Sequence, residues 1–135
     1  MSFDYTKTIL SDIKSMLSIE YGDSFDKEIL LFINSAVMEV YQLGCCTYQN
    51  EVTEDTTWDD ILLTDDMKMS VSFVKKYIYI RTKLSFDPPT SGFYTTALEK
   101  ELDELKYRLI VQIEGTLTES EYINKAGEPF IYDNE

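Results

Sequence analysis

The sequence contains no histidine, and its only two cysteines, Cys45 and Cys46, are adjacent. Without histidine the chain lacks the commonest general base near neutral pH and a leading metal ligand. Serine or cysteine nucleophiles activated by histidine are therefore excluded within one chain. Chemistry on paired carboxylates stays open, but no pair stands out among the 25 acidic residues. We expect a protein that is not an enzyme, with no metal and no cofactor.

Disulfides and membrane segments are also unexpected. Neighbouring cysteines rarely bridge one another, because a disulfide strains the peptide between them, so both should be reduced and apolar. No apolar stretch approaches the ~20 residues that a membrane-spanning helix needs. Asp4 precedes any apolar run, so the N-terminus does not resemble a signal peptide. These features predict a cytoplasmic protein without a membrane partner.

Positive charge is scarce, since 12 basic residues stand against 25 acidic ones and the formal net charge is -13. That balance argues against wrapping nucleic acid by charge neutralisation. It suits an acidic wall along which a duplex slides, and equally a small protein that mimics DNA to inhibit a DNA-binding protein. Apolar residues make up 44% of the chain, which is too many for a disordered protein. A length of 135 residues suits one domain.

Apolar periodicity predicts an all-α fold, a small bundle of four main helices plus a short one. Glycine, proline and capping residues set the predicted ends. The expected helices are Thr6 to Leu17, Ser24 or Asp26 to Leu43 with Gly44 as the stop, Trp58 to Leu63 capped by Thr57 and Asp60, Asp66 to Phe86, and Tyr94 to Glu114 ended by Gly115. Trp58 should anchor the loop before the third main helix to the core.

The second predicted helix is apolar on two sides. Leu31 and Met38 lie seven residues apart, opposite its main apolar stripe. A helix of this kind is either central to a bundle or packed against a partner. In so small a protein we favour the partner, and we predict that Leu31 and Met38 lie at a subunit interface.

The third main helix concentrates positive charge. Lys68, Lys75, Lys76 and Lys83 fall within a sector of roughly 100°, and no acid occurs between Met67 and Phe86. The preceding stretch, residues 51–66, carries seven acids and no basic residue. The four lysines either form a solvated face that balances these acids, or face an acidic neighbouring subunit or the phosphates of DNA in a channel.

The chain after residue 115 loses its helical pattern. Residues 1–115 are predicted to form the helical domain, and residues 116–135 a flexible, extended C-terminal arm. Its apolar and aromatic side chains are more than a disordered tail usually holds. We expect the arm to order on a partner through Tyr122, Phe130, Ile131 and Tyr132.

Three stretches carry a resemblance to a known family. They are ILLFINSA at 29–36 continuing to YQLG at 41–44, VKKYIYIR at 74–81 leading into FDPPTS at 86–91, and LKYRL at 105–109 followed by VQ at 111–112. In order and spacing they resemble the head-tail connector (adaptor) proteins of tailed double-stranded DNA bacteriophages. Two departures are Cys45 and Cys46, where the family favours another glycine, and Tyr107, where it favours tryptophan.

The resemblance implies an all-α structural protein of the virion neck, assembled in the bacterial host cytoplasm. Such a subunit forms a homo-oligomeric ring of about twelve copies beneath the portal. The ring joins the head to the tail, continues the channel through which genomic DNA passes without sequence-specific binding, and docks the next neck or tail protein. The arm after residue 115 lies outside the resemblance; its aromatic residues suit folding onto the portal or a neighbouring subunit, and we predict that it binds the portal. The resemblance brings no catalytic residue and no cofactor.

Overall fold

The computed structural model describes residues 3–18 and 22–116, and the prediction of an all-α fold is confirmed. In chain order the helices are α1 (Ile9–Met16), α2 (Asp26–Gln42), α3 (Trp58–Ile61), α4 (Asp65–Met69), α5 (Val71–Phe86) and α6 (Gly92–Thr116). Within this part of the chain, the pairing of β type is one isolated bridge between Thr8 and Thr57. The arm predicted over 116–135 lies outside the described residues except for its first residue, so the predicted domain boundary stays a prediction.

Most predicted helix ends are confirmed to within two residues, but α1 begins at Ile9 behind its cap Thr8, three residues later than predicted. Gly44 has φ +88° and follows the last turn of α2, in the left-handed conformation that glycine adopts without a steric penalty. Asp60 Oδ2 accepts a hydrogen bond from the backbone N–H of Thr57 (2.9 Å), which closes the capping box of α3. Ser91 caps α6, since its hydroxyl accepts from the N–H of Tyr94 (3.3 Å).

The predicted third main helix is in fact two helices. Ser70, with φ -102° and ψ 18°, separates α4 from α5. Thr64 caps α4, because its hydroxyl accepts from the N–H of Met67 (3.1 Å). The apolar pattern continues across Ser70, so periodicity alone did not reveal the break. Lys68 consequently lies on a different helix from the other three lysines.

The last helix is longer at both ends than predicted. It begins at Gly92 and continues through Gly115 to Thr116. A single glycine inside a helix costs only about 1 kcal/mol, which the rest of a 25-residue helix tolerates.

The core is built around α5, which packs between α2 and α6, while α1 lies against α2 and α5. Each outer helix turns one apolar face toward this centre. The buried side chains include Ile29, Ile33, Val37 and Val40 of α2, Val74, Ile78 and Ile80 of α5, and Leu98, Leu105 and Leu109 of α6. The outer faces of α2 and α6 therefore point away from α5.

The loop between α2 and α3 is irregular but firmly held. Asn34 of α2 forms two hydrogen bonds with the backbone of Val52. Its Oδ1 accepts from the Val52 N–H (2.7 Å), and its Nδ2 donates to the Val52 carbonyl (3.0 Å). The hydroxyl of Tyr48 donates to the same Oδ1 (2.8 Å). The side-chain amide of Asn34 thus satisfies the backbone N–H and C=O of Val52, as a neighbouring β-strand would. All seven acids of residues 51–66 remain exposed on the fixed backbone.

Trp58 anchors this region, as predicted. Its side chain is fully buried, and its ring meets that of Phe3 edge to face with centroids 5.9 Å apart. The indole Nε1–H donates to Asp12 Oδ2 of α1 (2.9 Å). The N-terminal segment, the loop and α1 are therefore joined at one side chain.

Both cysteines are free thiols in the core. Burial raises the pKa of Cys45 to about 11, and burial together with the neighbouring Cys45 raises the pKa of Cys46 to about 12. Because the thiolate is the reactive form, we expect neither cysteine of the folded protein to react with iodoacetamide at pH 8. Both should react in urea, as counted by mass spectrometry. Rapid labelling of the native protein would contradict the buried placement.

Candidate protein-interaction surfaces

The two apolar residues predicted for an interface lie on the outer face of α2. Leu31 is 64% exposed and Met38 is 37% exposed, whereas Ile33 and Val37 of the same helix are fully buried. No charged residue lies between Leu31 and Met38 in the sequence. Leu31 and Met38, here called the α2 stripe, therefore lie outside the core face of α2, with Leu31 largely free of the bundle and Met38 partly covered by it. Their role at a subunit interface stays a prediction.

A second exposed apolar surface lies on α6 and was not predicted. Tyr107 is 67% exposed, Val111 45% and Ile110 36%, and we call these three the α6 patch. They share one side of the helix, because residues three and four positions apart are neighbours on a helix surface. The three residues are apolar in the sequence, but the leucines of α6 already accounted for its core face. The many charged residues of α6 suggested that its outer face is polar.

The four predicted lysines each meet an acid of their own subunit. The pairs are Lys68 with Asp59 (3.8 Å), Lys75 with Asp12 (3.1 Å), Lys76 with Glu101, and Lys83 with Asp87 (3.6 Å). Asp59 belongs to the acidic stretch 51–66, so one of the four lysines, Lys68, pairs with an acid of that stretch. Whether these lysines also face a partner or a channel stays a prediction.

Lys75 has a structural task that its position in the sequence did not reveal. The carboxylate of Asp12 is buried, and its Oδ2 receives both the ammonium of Lys75 (3.1 Å) and the indole N–H of Trp58 (2.9 Å). Lys7 lies 4.0 Å from the Oδ1 of Asp12. The ammonium of Lys75 also lies 5.1 Å from the centre of the Phe3 ring. A buried charge needs such partners, because an unpaired one is costly. Asp12 comes from α1, so spacing within one helix gave no hint of the contact.

A polar cluster joins α2 to α5 beside the α2 stripe. Glu39 Oε1 accepts from the hydroxyl of Tyr77 (2.6 Å), and Glu39 Oε2 accepts from Arg81 Nη2 (2.8 Å) and Nε (3.1 Å). Desolvation raises the pKa of Glu39, but the hydrogen bonds from Arg81 and Tyr77 together outweigh it, and the pKa lies below its usual range. The cluster fixes the rotation of α2 and thereby the direction of its outer face.

The lowered pKa of Glu39 predicts acid sensitivity. A carboxylate whose pKa is lower in the folded state adds stability above its unfolded pKa, and this contribution is lost as pH falls through the folded pKa. We expect Glu39→Gln to lower the free energy of unfolding at pH 7 by about 1 kcal/mol. The difference from the parent protein should shrink below pH ~4, as measured by urea unfolding. Glu99→Gln, at an exposed acid of α6 outside its first and last turns, is the control and should change little at either pH.

Among residues 3–18 and 22–116, no three or more His, Cys, Asp or Glu side chains are grouped to hold a metal ion. None of the helices in this part of the chain is both long and apolar enough to cross a membrane.

The fold and surfaces define a small, acidic, all-α protein with apolar side chains exposed on the outer faces of two helices. Its family follows from comparison with known proteins. The family model described as phage connector protein matches residues 9–116, and the chain belongs to this family. Searches of curated proteins and of solved structures each found no match. The resemblance seen in the sequence is confirmed, and the family supports a structural connector role in a phage.

The family match and the described residues both end at 116. The four residues predicted for a portal-binding arm, Tyr122, Phe130, Ile131 and Tyr132, lie outside both. Their role stays a prediction.

Proposed function

We propose that this protein forms a ring beneath the portal of a tailed phage, joins the head to the tail, and continues the DNA channel. The match to the phage connector family over residues 9–116 carries the proposal. Its partners would be the portal protein, the next neck or tail protein, and further copies of itself, about twelve in one ring. The ring would lie in the virion neck after assembly in the host cytoplasm.

The exposed α2 stripe supports a self-assembling subunit. Leu31 and Met38 lie on a helix held rigidly by its core face and by the Glu39 cluster. Apolar side chains presented on a rigid helix are typical of the fully buried centre of a protein interface. This supports placing Leu31 and Met38 between neighbouring subunits.

The charge distribution supports a channel that repels DNA. The seven acids of residues 51–66 are exposed on a fixed backbone. In contrast, an acid of the same subunit pairs with each of the four lysines of the predicted third main helix, namely Lys68, Lys75, Lys76 and Lys83. A surface of this kind lets a duplex pass without strong binding, since tight binding requires unpaired basic groups that displace counterions. Genomic DNA would then slide past without sequence-specific contacts.

The C-terminal arm is proposed to bind the portal. Residues 116–135 include the aromatic side chains Tyr122, Phe130 and Tyr132 beside Ile131. Segments that order on binding often wrap a partner through a few such anchors. We expect a chain ended at residue 116 to bind portal rings at least tenfold more weakly than the full chain.

The decisive experiment mixes the full chain with purified portal rings of its phage and images the product by electron microscopy. We expect an added layer with rotational symmetry at the narrow end of the portal. A bare portal, with the connector folded and in excess, would contradict the proposal. Imaging the chain ended at residue 116 in parallel then isolates the contribution of the arm.

The seven exposed acids also favour one other function, that of a small acidic inhibitor that mimics DNA. Such a mimic presents its acids in ordered rows, whereas in this sequence a basic helix follows the acidic stretch. Competition with duplex DNA for a bacterial DNA-binding protein would support the mimic. A connector should not compete.

The charge role of the lysines is best tested at Lys76. Lys76→Glu changes an exposed residue, so we expect the free energy of unfolding to fall by no more than about 1 kcal/mol. A lysine that faces a partner or DNA should nevertheless lower particle assembly or infectivity when its charge is reversed. Unchanged assembly and infectivity would exclude that role for Lys76.

Lys75→Glu is the informative comparison. It places a second carboxylate beside buried Asp12, so we expect a loss of about 3–5 kcal/mol in urea unfolding. Its phenotype in particles would therefore report folding and not a contact with DNA. Equal stability of the two variants would contradict the structural role of Lys75.

A further inference from the structure

We propose that neighbouring copies of this chain meet head to tail, with the α2 stripe of one copy packed against the α6 patch of the next. The inference rests on the proposed ring and names the second half of its subunit contact. The partner surface consists of Tyr107, Ile110 and Val111.

A ring with rotational symmetry requires two different surfaces on each subunit. Subunits related by rotation about a ring axis contact through unlike patches, whereas a twofold dimer uses the same patch on both sides. The α2 stripe alone would supply only one half of such a contact. The α6 patch supplies a second apolar surface of comparable exposure on another helix.

The two surfaces also point in suitable directions. Helix α5 packs between α2 and α6, and both outer helices turn their buried faces toward it. Leu31 and Met38 lie opposite the buried residues of α2, and Tyr107 and Val111 lie opposite the buried leucines of α6. The stripe and the patch are therefore two different outer faces of the subunit, as a head-to-tail contact requires.

The surfaces are complementary in size and chemistry. Leu31 and Met38 are about 10 Å apart along the helix axis, enough to receive one aromatic ring and the two aliphatic side chains that follow it. Tyrosine and methionine are enriched in the cores of protein interfaces. With Tyr107 packed against Leu31, Ile110 and Val111 fall between Leu31 and Met38, and the Tyr107 hydroxyl stays at the polar rim.

Charge sets the register of the contact. Lys27 precedes Leu31 by four residues, and Asp103 precedes Tyr107 by four residues. Both side chains are exposed, and neither forms an ion pair with the residues that the structure describes. When the two helices run parallel with Leu31 against Tyr107, Lys27 of one copy faces Asp103 of the other.

The test uses cysteine pairs in the layer assembled on portal rings. The variants are Leu31→Cys, Tyr107→Cys and the double variant, treated with a short bismaleimide that tolerates larger separations than a disulfide does. The native cysteines are buried and serve as silent background. We expect the double variant to give a ladder of oligomers in a denaturing gel and each single variant to stay monomeric.

The outcomes separate the ring from its proposed contact. Dimers from either single variant would show a contact between like surfaces and overturn the inference. A layer visible by electron microscopy without a ladder would also overturn the inference. That result includes the case in which residues 117–135 of the same chain cover the α6 patch. The proposed function stands after each of these outcomes. If no layer forms on the portal, the proposed function fails and this inference fails with it.

The register is tested by a charge exchange. Lys27→Glu and Asp103→Lys should each reduce layer formation severalfold, and the two together should restore it. Because both residues are exposed, thermal unfolding should be nearly unchanged in all three variants. Additive losses in the double variant would show that Lys27 does not face Asp103.

Discussion

Replacing Trp58 with alanine is expected to lower the free energy of unfolding by about 3–5 kcal/mol. The side chain is fully buried, so its removal leaves a large cavity. It also removes the indole donor, at 2.9 Å, from buried Asp12, which then keeps only its lysine partners. Since a domain of this size is stable by only about 5–15 kcal/mol, the variant should be partly unfolded at 37 °C. Urea unfolding followed by circular dichroism measures the effect.

Trp58→Phe separates the two causes of that loss. Phenylalanine retains most of the apolar ring but has no N–H for Asp12, so we expect an intermediate loss of about 1–3 kcal/mol. A Trp58→Ala variant as stable as the parent would mean that the N-terminal segment and the loop are not joined through this residue. The assignment of Trp58 as the anchor would then be wrong.

Local signals in the sequence predicted the helices because each signal acts within a few residues. Gly44 stops α2 through its own backbone conformation, and Thr57 with Asp60 caps α3 within one turn. Trp58 was identified because one large apolar side chain in a polar stretch has few other places to go. Predictions of this kind need no knowledge of how the helices pack.

Contacts between distant segments were not predictable in the same way. The partner of Lys75 is Asp12, and the amide of Asn34 holds the backbone of Val52. Such contacts depend on which helices become neighbours, and no spacing within one segment encodes that. Helical periodicity placed the lysines on a common face, but only the packing of α1 against α5 shows that Lys75 serves the fold.

The candidate surfaces show the same division. The α2 stripe was predicted because Leu31 and Met38 lie opposite a complete apolar face, which is a property of one helix. The α6 patch was missed because charged residues such as Arg108 lie beside it on the helix surface, and only the exposure of Tyr107 and Val111 in the fold separates them from the core. A face that binds a partner and a face that is merely solvated have similar patterns when charges are interspersed.

The largest functional effect is expected from placing charge on the α2 stripe. In a variant carrying both Leu31→Glu and Met38→Glu, two carboxylates would have to be buried at each subunit contact, which costs several kcal/mol when they are unpaired. We expect layer formation on portal rings to fall at least a hundredfold. Because Leu31 is 64% exposed and Met38 is 37% exposed in the subunit, the free energy of unfolding should fall by no more than about 1–2 kcal/mol, which leaves the protein folded.

A matched control adds the same charge elsewhere. Gln49→Glu with Asn50→Glu introduces two carboxylates at exposed positions of the loop between α2 and α3, and this variant should assemble as the parent does. Normal assembly of the Leu31→Glu, Met38→Glu variant would remove the α2 stripe from the interface. Loss of assembly in both variants would instead point to total charge, since the parent already carries a net charge of -13. Loss in the stripe variant alone, with the protein still folded, would assign subunit contact to the outer face of α2.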